Sequence, residues 1–323
     1  MTEPTFDPDI AGWLTKTAAD REPTNIEEAR ALSRATNADA LRRMNPALIP
    51  ASETDDVIPG PAGDIPIRVL RSSGAGPKST IVYFHGGGWV VGSIDTHLGH
   101  ARRVCTQADA VVFTVGYRLA PENPFPAAYE DAVAAAEWAA QHAAELGGDP
   151  STFILAGDSA GGQLAASVAI ARRDTGQPVT AQLLLYPVID AAGRYSDPAI
   201  NAHYMSRRTA DGGYGLTLEG MANFAKNYVS ASESDDWRVS PIRSTDLTGV
   251  APAVIHTATL DVLRTEGNFY ADRLRDAGVE VISREWPTLN HSYFGLGGVS
   301  AVADSAAAQA AEDLQSLLSR IRA

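Results

Sequence analysis

The stretch Phe153-Ile154-Leu155-Ala156-Gly157-Asp158-Ser159-Ala160-Gly161 runs four apolar residues into a G-x-S-x-G motif, and a helical pattern, Leu164–Arg173, follows it. A strand that turns sharply into a helix needs glycines where side chains would clash. It also leaves the central serine exposed at the top of a sheet. The five letters alone arise by chance, but strand, motif and helix in succession are much rarer. Ser159 is therefore read as a nucleophile rather than as part of a structural tight turn.

The segments around this turn repeat its strand–helix alternation. Short apolar runs bounded by Gly, Pro or Asp recur at Ile65–Leu70, Thr80–Phe84, Ala110–Val115, Phe153–Ala156, Gln182–Tyr186, Ala253–Thr257 and Val279–Arg284. Such runs, rich in Val, Ile and Leu, are expected of strands buried on both faces. Helical patterns at Leu98–Ala108, Ala127–Leu146, Gln163–Arg173, Glu266–Ala277 and Ala303–Ile321 separate most of them. The expected fold class is α/β: a mostly parallel central sheet flanked by helices. Asp55–Pro59 and Ile65–Leu70 read as an antiparallel hairpin at the sheet edge.

Two regions break the alternation. Residues 1–50 carry helical patterns at Asp9–Asp20 and Ile26–Asn45 and no strand; residues 190–237 are polar, with one helical pattern at Leu218–Val229. Long insertions in a compact domain usually serve function, so these are expected to be two cap segments over a core of residues 51–189 and 238–323. Their amphipathic helices argue against solvated linkers. No internal repeat is present.

Composition narrows the function classes. The 323 residues are 45% hydrophobic and 20% charged, with a formal charge of −13 and a pI near 4.9. That balance excludes a nucleic-acid surface, which needs clustered Lys and Arg. The single cysteine, Cys105, rules out an intramolecular disulfide and reads as buried packing on a helix. Met1–Asp7 lacks the basic start and apolar core of a signal peptide, and no apolar run is long enough for a membrane span. The expectation is a cytoplasmic protein that does not engage membranes.

A serine needs a base, and the base needs an orienting acid. On a hydrolase sheet the order along the chain is Ser, Asp or Glu, then His. Of the histidines after Ser159, His203 falls in the second cap segment and His256 inside a strand, whereas His291 lies in a loop after the last strand. His291 is the expected base. Asp261 follows a strand and precedes a helix, where α/β active sites assemble, and is preferred as the acid over Glu266 and Asp246. His85-Gly86-Gly87-Gly88-Trp89 follows the strand Thr80–Phe84. Its bare glycines can turn adjacent N–H groups toward one point, and the amide of Ala160 completes an oxyanion hole. His85 and Gly86 read as support for that loop. No Walker or dinucleotide glycine pattern accompanies these glycines. His97-x-x-His100 lacks the partner motifs of a metal site, so no metal is expected and both histidines are assigned to a surface or first-turn role.

Together these residues resemble the hormone-sensitive-lipase-like branch of the α/β-hydrolases, the bacterial carboxylesterases. The likeness rests on His85-Gly86-Gly87-Gly88-Trp89, on Tyr117-Arg118-Leu119-Ala120-Pro121-Glu122, on Phe125–Asp131, and on Gly157-Asp158-Ser159-Ala160-Gly161-Gly162. Asp261-Val262-Leu263 has Val where the family has Pro, and His291-Ser292-Tyr293 departs from the family's H-G-F at its last two positions. Neither change touches a proton-handling atom. The resemblance implies that Gly87, Gly88 and Ala160 supply oxyanion amides and that the two irregular regions form the cap. It further implies hydrolysis of a small-molecule carboxylic ester of short to medium acyl chain without a cofactor, and it admits a homodimer. Trp89, Asp158, Tyr204, Met205, Phe224 and Tyr293 are the pocket candidates. Amide, lactone or thioester hydrolysis would use the same triad. A non-catalytic receptor on this fold would have lost the base, and here His291 fills that position.

Overall fold

The apolar runs and the Asp55–Pro59 segment pair into one eight-stranded sheet. In the computed structural model, which describes residues 5–17 and 23–322, the strands are β1 (Ser52–Gly60), β2 (Gly63–Arg71), β3 (Lys78–Phe84), β4 (Ala110–Val115), β5 (Gly148–Asp158), β6 (Ala181–Leu185), β7 (Ala253–Leu260) and β8 (Val281–Asn290). Their order is β1-β2-β4-β3-β5-β6-β7-β8. The β1–β2 hairpin and the β2–β4 pairing are antiparallel, and every other pairing is parallel. The helices are α1 (Pro8–Thr17), α2 (Ile26–Arg42), α3 (Leu98–Gln107), α4 (Ala127–His142), α5 (Ala160–Asp174), α6 (Pro198–Asn201), α7 (Ser206–Thr209), α8 (Leu218–Tyr228), α9 (Arg264–Asp276) and α10 (Ala301–Arg322). Residues 18–20 of the helix expected at Asp9–Asp20 lie outside the described residues. Among the described residues no helix is long and apolar enough to cross a membrane.

Alternation along each strand divides the core in two, since successive side chains point to opposite faces. Val82, Phe84, Phe113 and Leu155 pack with α4, α5 and α9 on one face. Ile81, Tyr83, Val112 and Ile154 pack with α3 and α10 on the other. Cys105 is buried in this second layer, as expected.

Two boundaries differ from expectation for physical reasons. Helix α5 begins at Ala160 rather than near Gln163, because Gly161 and Gly162 lie inside its first turn. A Cβ on Gly161 would sit 2.0 Å from the Phe84 carbonyl oxygen, so the glycine marks close contact with β3 rather than a helix break. Strand β8 runs past Arg284 to Asn290 through Glu285, Trp286 and Pro287. It is an edge strand, where proline is tolerated and one face is wet.

Both irregular regions are pinned to the core. Asp7 caps α1 through Oδ1, which accepts from the amides of Asp9 and Ile10, and its Oδ2 accepts from the Ser300 hydroxyl ahead of α10. Arg30 on α2 donates to the carbonyls of Val90 and Ala120 and forms a bidentate pair with Glu122. In the second region Arg207 is fully buried against Glu266 at 2.5 Å, with the rings of Tyr195 and Tyr204 on its guanidinium. Glu266 also accepts from the Ile189 amide and the Tyr195 hydroxyl.

Candidate active site

The turn from β5 into α5 holds Ser159 at φ 53°, ψ −120°, a left-handed backbone unfavourable for any residue with a side chain. The neighbours make room for it. A Cβ on Gly157 would meet the Gly161 carbonyl oxygen at 2.3 Å, so nothing larger than glycine fits there. The Ser159 amide donates to the Leu185 carbonyl of β6 at 2.9 Å, which fixes the turn to the sheet.

Three side chains from separate strand ends converge at this turn. His291 Nε2 lies 2.9 Å from Ser159 Oγ, and His291 Nδ1 lies 2.8 Å from Asp261 Oδ2. Asp261 Oδ1 accepts from the Leu263 amide at 2.9 Å, which sets the carboxylate plane. His291 stands edge-on to Tyr186, whose ring centroid is 4.8 Å away. The other histidines lie elsewhere. His256 is buried with Nε2 2.9 Å from Asp313 Oδ2, and His203 is exposed. Glu266 is occupied by Arg207, and Asp246 accepts from the Thr248 amide in a surface loop.

The glycine loop lies beside the serine. Gly87 and Gly88 both have positive φ, 115° and 57°, and a Cβ on Gly88 would fall 2.3 Å from the Phe224 ring. The Gly87 carbonyl accepts from the amides of Val90 and Val91, turning the loop back on itself. Ala160 opens α5, so its amide belongs to the first turn, where N–H groups have no partner within the helix.

Asp158 braces the loop from below. Its Oδ1 accepts from the Gly86 amide at 3.0 Å and from the Tyr83 hydroxyl at 2.7 Å. Burial alone would raise this carboxyl; the adjoining imidazoles of His97 and His100 and the Tyr83 hydrogen bond hold it below the usual carboxylate range. His85 stacks on Tyr117 and its Nδ1 faces the Gly86 carbonyl at 2.8 Å, while Tyr117 donates to the His85 carbonyl. Burial, together with the nearby His97, holds the His85 imidazole down to about 3.

A cavity of about 460 Å³ opens above the serine. Ser159, His291, Gly87, Gly88 and Asp158 form its floor. Trp13 and Leu14 of α1, Ile26 to Ala40 of α2, and Met221, Asn223, Phe224 and Asn227 of α8 wall it. Of the six pocket candidates, Asp158 and Phe224 line the cavity; the other four expectations are corrected. Trp89 is buried below the loop, where its Nε1 donates to Gln163 and its ring stacks on Tyr228. Tyr204 is tied to Asp190 and covers Arg207, and Met205 is exposed away from the site. Tyr293 is buried edge-on against Tyr186. Of the surface or first-turn role expected for His97 and His100, the surface half does not hold: His97 is the N-cap of α3, His100 lies in its first turn, and both are buried and face Asp158. The cavity-facing polar residues of α2 and α8 were missed, as was Tyr83. A tyrosine amid the aliphatic residues of β3 is the signal for the last, because a buried hydroxyl needs a partner.

A family described as alpha/beta hydrolase fold matches residues 81–295, from β3 to just past His291. The chain belongs to that family. Within the α/β-hydrolases its branch is that of the hormone-sensitive-lipase-like carboxylesterases. This α/β-hydrolase is similar to the carboxylic ester hydrolase LipN of Mycobacterium tuberculosis, 43% identical over 259 residues that cover 77% of this chain and 66% of that one. It is also similar to the carboxylesterase NlhH of the same organism, 38% identical over 316 residues, 91% of this chain and 92% of the relative. Among solved structures, an esterase of Pyrobaculum calidifontis matches with a TM-score of 0.87 and 34% identity, across 97% of this chain and 99% of that one.

Proposed function

We propose that this α/β-hydrolase is a serine carboxylesterase that acts on small esters through an acyl-enzyme. The observation that carries the reading is the hydrogen-bonded chain Ser159–His291–Asp261, with spacings of 2.9 and 2.8 Å, at the floor of a cavity. The names of the relatives favour an ester over the amide, lactone or thioester that the same groups would cleave.

In this mechanism His291 Nε2 takes the proton of Ser159 as Oγ attacks the ester carbonyl. The amides of Gly87, Gly88 and Ala160 receive the oxygen that becomes negative. The imidazolium, steadied by Asp261, gives its proton to the departing alkoxide, and the alcohol leaves. Water then adds to the acyl-enzyme by the same route and releases the acid. The groups named complete this chemistry without a metal or organic cofactor.

Residues 1–50 and 190–237 act in the proposal as the cap, because α1, α2 and α8 supply the walls and roof. A roofed cavity of this size favours short to medium acyl chains. We place the enzyme in the cytoplasm, in keeping with a single thiol that is buried and unpaired. The test is covalent labelling with an organophosphate. Activity is lost with one adduct per chain, and the adduct maps by mass spectrometry to the peptide that contains Ser159. An adduct on another residue, or a labelled chain that keeps full turnover, refutes the assignment.

A further inference from the structure

Beside Ser159 lies a second group of side chains that the ester chemistry does not use. His97, the N-cap residue of α3, and His100, one turn on, face Asp158, and one donor atom from each lies within 4.8 Å of the others. Their exposures are 7%, 4% and 2%. His97 Nε2 is 3.5 Å from Asp158 Oδ2, and the two imidazole centroids are 4.8 Å apart. His100 Nε2 is buried without a hydrogen-bond partner, an arrangement that folded proteins seldom leave uncompensated. All three residues line the active-site cavity, so an ion can reach them from solvent.

We propose that His97, His100 and Asp158 form a divalent transition-metal site of the zinc type, whose occupation reversibly inhibits the enzyme. Two imidazoles and one carboxylate are the donor set of many zinc sites that keep one position open. Metal–donor bonds of about 2.0–2.1 Å place tetrahedral donors about 3.4 Å apart. The His97–Asp158 pair is already at that spacing, and the His100 donor lies within 4.8 Å of both.

The surroundings orient the donors as a metal requires. Thr96 Oγ1 accepts from the Ser93 amide, donates to the Ser93 carbonyl, and lies 2.9 Å from His97 Nδ1. His97 Nε2 and Asp158 Oδ2 face one another at 3.5 Å, the spacing that two donors on one ion would take. Asp158 keeps Oδ2 for the ion because Oδ1 is held by Tyr83 and Gly86. The nearby cation Arg103 is paired with Asp304 at 2.6 Å. Inhibition follows from position: Asp158 adjoins the nucleophile and anchors the glycine loop, so a dication there draws on the carboxylate that braces Gly86.

The experiment titrates the metal-stripped full-length protein with Co²⁺. One equivalent binds per chain with a visible ligand-field spectrum, Zn²⁺ displaces it, and esterase activity falls in parallel and returns with chelator. His97→Gln and His100→Gln each weaken Co²⁺ binding by more than about tenfold, while Ser159→Ala and His291→Ala retain it. An absent saturable spectrum, unchanged affinity in both glutamine variants, or loss of binding only in His291→Ala overturns the site. Anomalous diffraction from a zinc-soaked crystal decides independently of variant folding: a peak among the three side chains supports the site, and a peak elsewhere or none overturns it. The cobalt spectrum does not depend on turnover, so this test can fail while the esterase reading stands.

Discussion

Replacing Asp261 with Asn preserves the shape of the proposed triad and reverses one hydrogen bond. Asp261 Oδ1 accepts from the Leu263 amide at 2.9 Å, and Oδ2 faces His291 Nδ1 at 2.8 Å. A carboxamide has one oxygen, and the Leu263 amide can only donate, so that oxygen takes the Oδ1 place. The NH2 group is thereby turned toward His291. Nδ1 becomes an acceptor, and the ring proton moves to Nε2, the atom 2.9 Å from Ser159 Oγ. That tautomer cannot accept the serine proton. Flipping the amide would set NH2 against the buried Leu263 N–H, at a cost of about 2 kcal/mol. The loss of negative charge opposite the imidazolium adds about 3 kcal/mol, the upper range for a hydrogen bond to a charged group. Together, at 1.36 kcal/mol per decade, they lower kcat by roughly 10³–10⁴. The assay is p-nitrophenyl butyrate hydrolysis, with active sites counted by phosphonate titration and folding checked by thermal melting. KM is expected to change little, because only the transition-state interaction is removed. A kcat within about tenfold of the parent refutes the reasoning. Glu266 could not then be invoked, since its carboxylate is fully buried against Arg207.

Ser159→Ala and His291→Ala each remove nearly all esterase activity, and the double variant is no worse than either, because the groups act as a unit; losses that multiply in kcat refute this. Glu266→Gln leaves Arg207 buried without its counter-charge and costs about 3–5 kcal/mol of stability in urea unfolding; a loss below about 1 kcal/mol means that the pair does not anchor the second cap segment. Stability falls with acidity because burial holds His85 and His100 down to about 3, whereas an unfolded histidine titrates near 6.5. Their contribution is complete above the unfolded value and is lost as pH drops toward the folded one, roughly 1.5 kcal/mol per histidine between about pH 6.5 and 5. His100→Gln therefore flattens the pH dependence of the urea midpoint, and an unchanged slope contradicts the depressed titration. Each methylene buried in the cavity adds about 0.8 kcal/mol, so kcat/KM rises about fourfold per carbon along a p-nitrophenyl ester series until the cavity is full, then falls. A monotonic rise to long chains shows that the cap does not bound the acyl chain.

Residues whose backbone geometry was itself the signal were the legible ones. Gly157 and Gly161 are glycines because carbonyl oxygens lie 2.3 and 2.0 Å from where a Cβ would be, and that steric need wrote the elbow into the sequence. Asp261 and His291 were legible because strand ends in a parallel sheet converge on one edge, and an Asp or His just past a strand is placed there by topology. Of the aromatic pocket candidates Phe224 lines the cavity, whereas Trp89, Tyr204 and Tyr293 do not, because a large ring is as useful in a core as in a cavity. Trp89 and Tyr293 are buried, and only the fold decides which side of the glycine loop they take. Periodicity misleads further on α2, where Ser33, Thr36 and Asn37 form a polar stripe with the spacing of a solvated face. In the fold that stripe faces the cavity above Ser159. A helical pattern reports polarity and cannot say whether the polar face meets bulk water or an enclosed substrate. His97 and His100 show the same limit: their partner Asp158 ends β5, far along the chain from the start of α3, so the pair looked unaccompanied until the fold brought the two together.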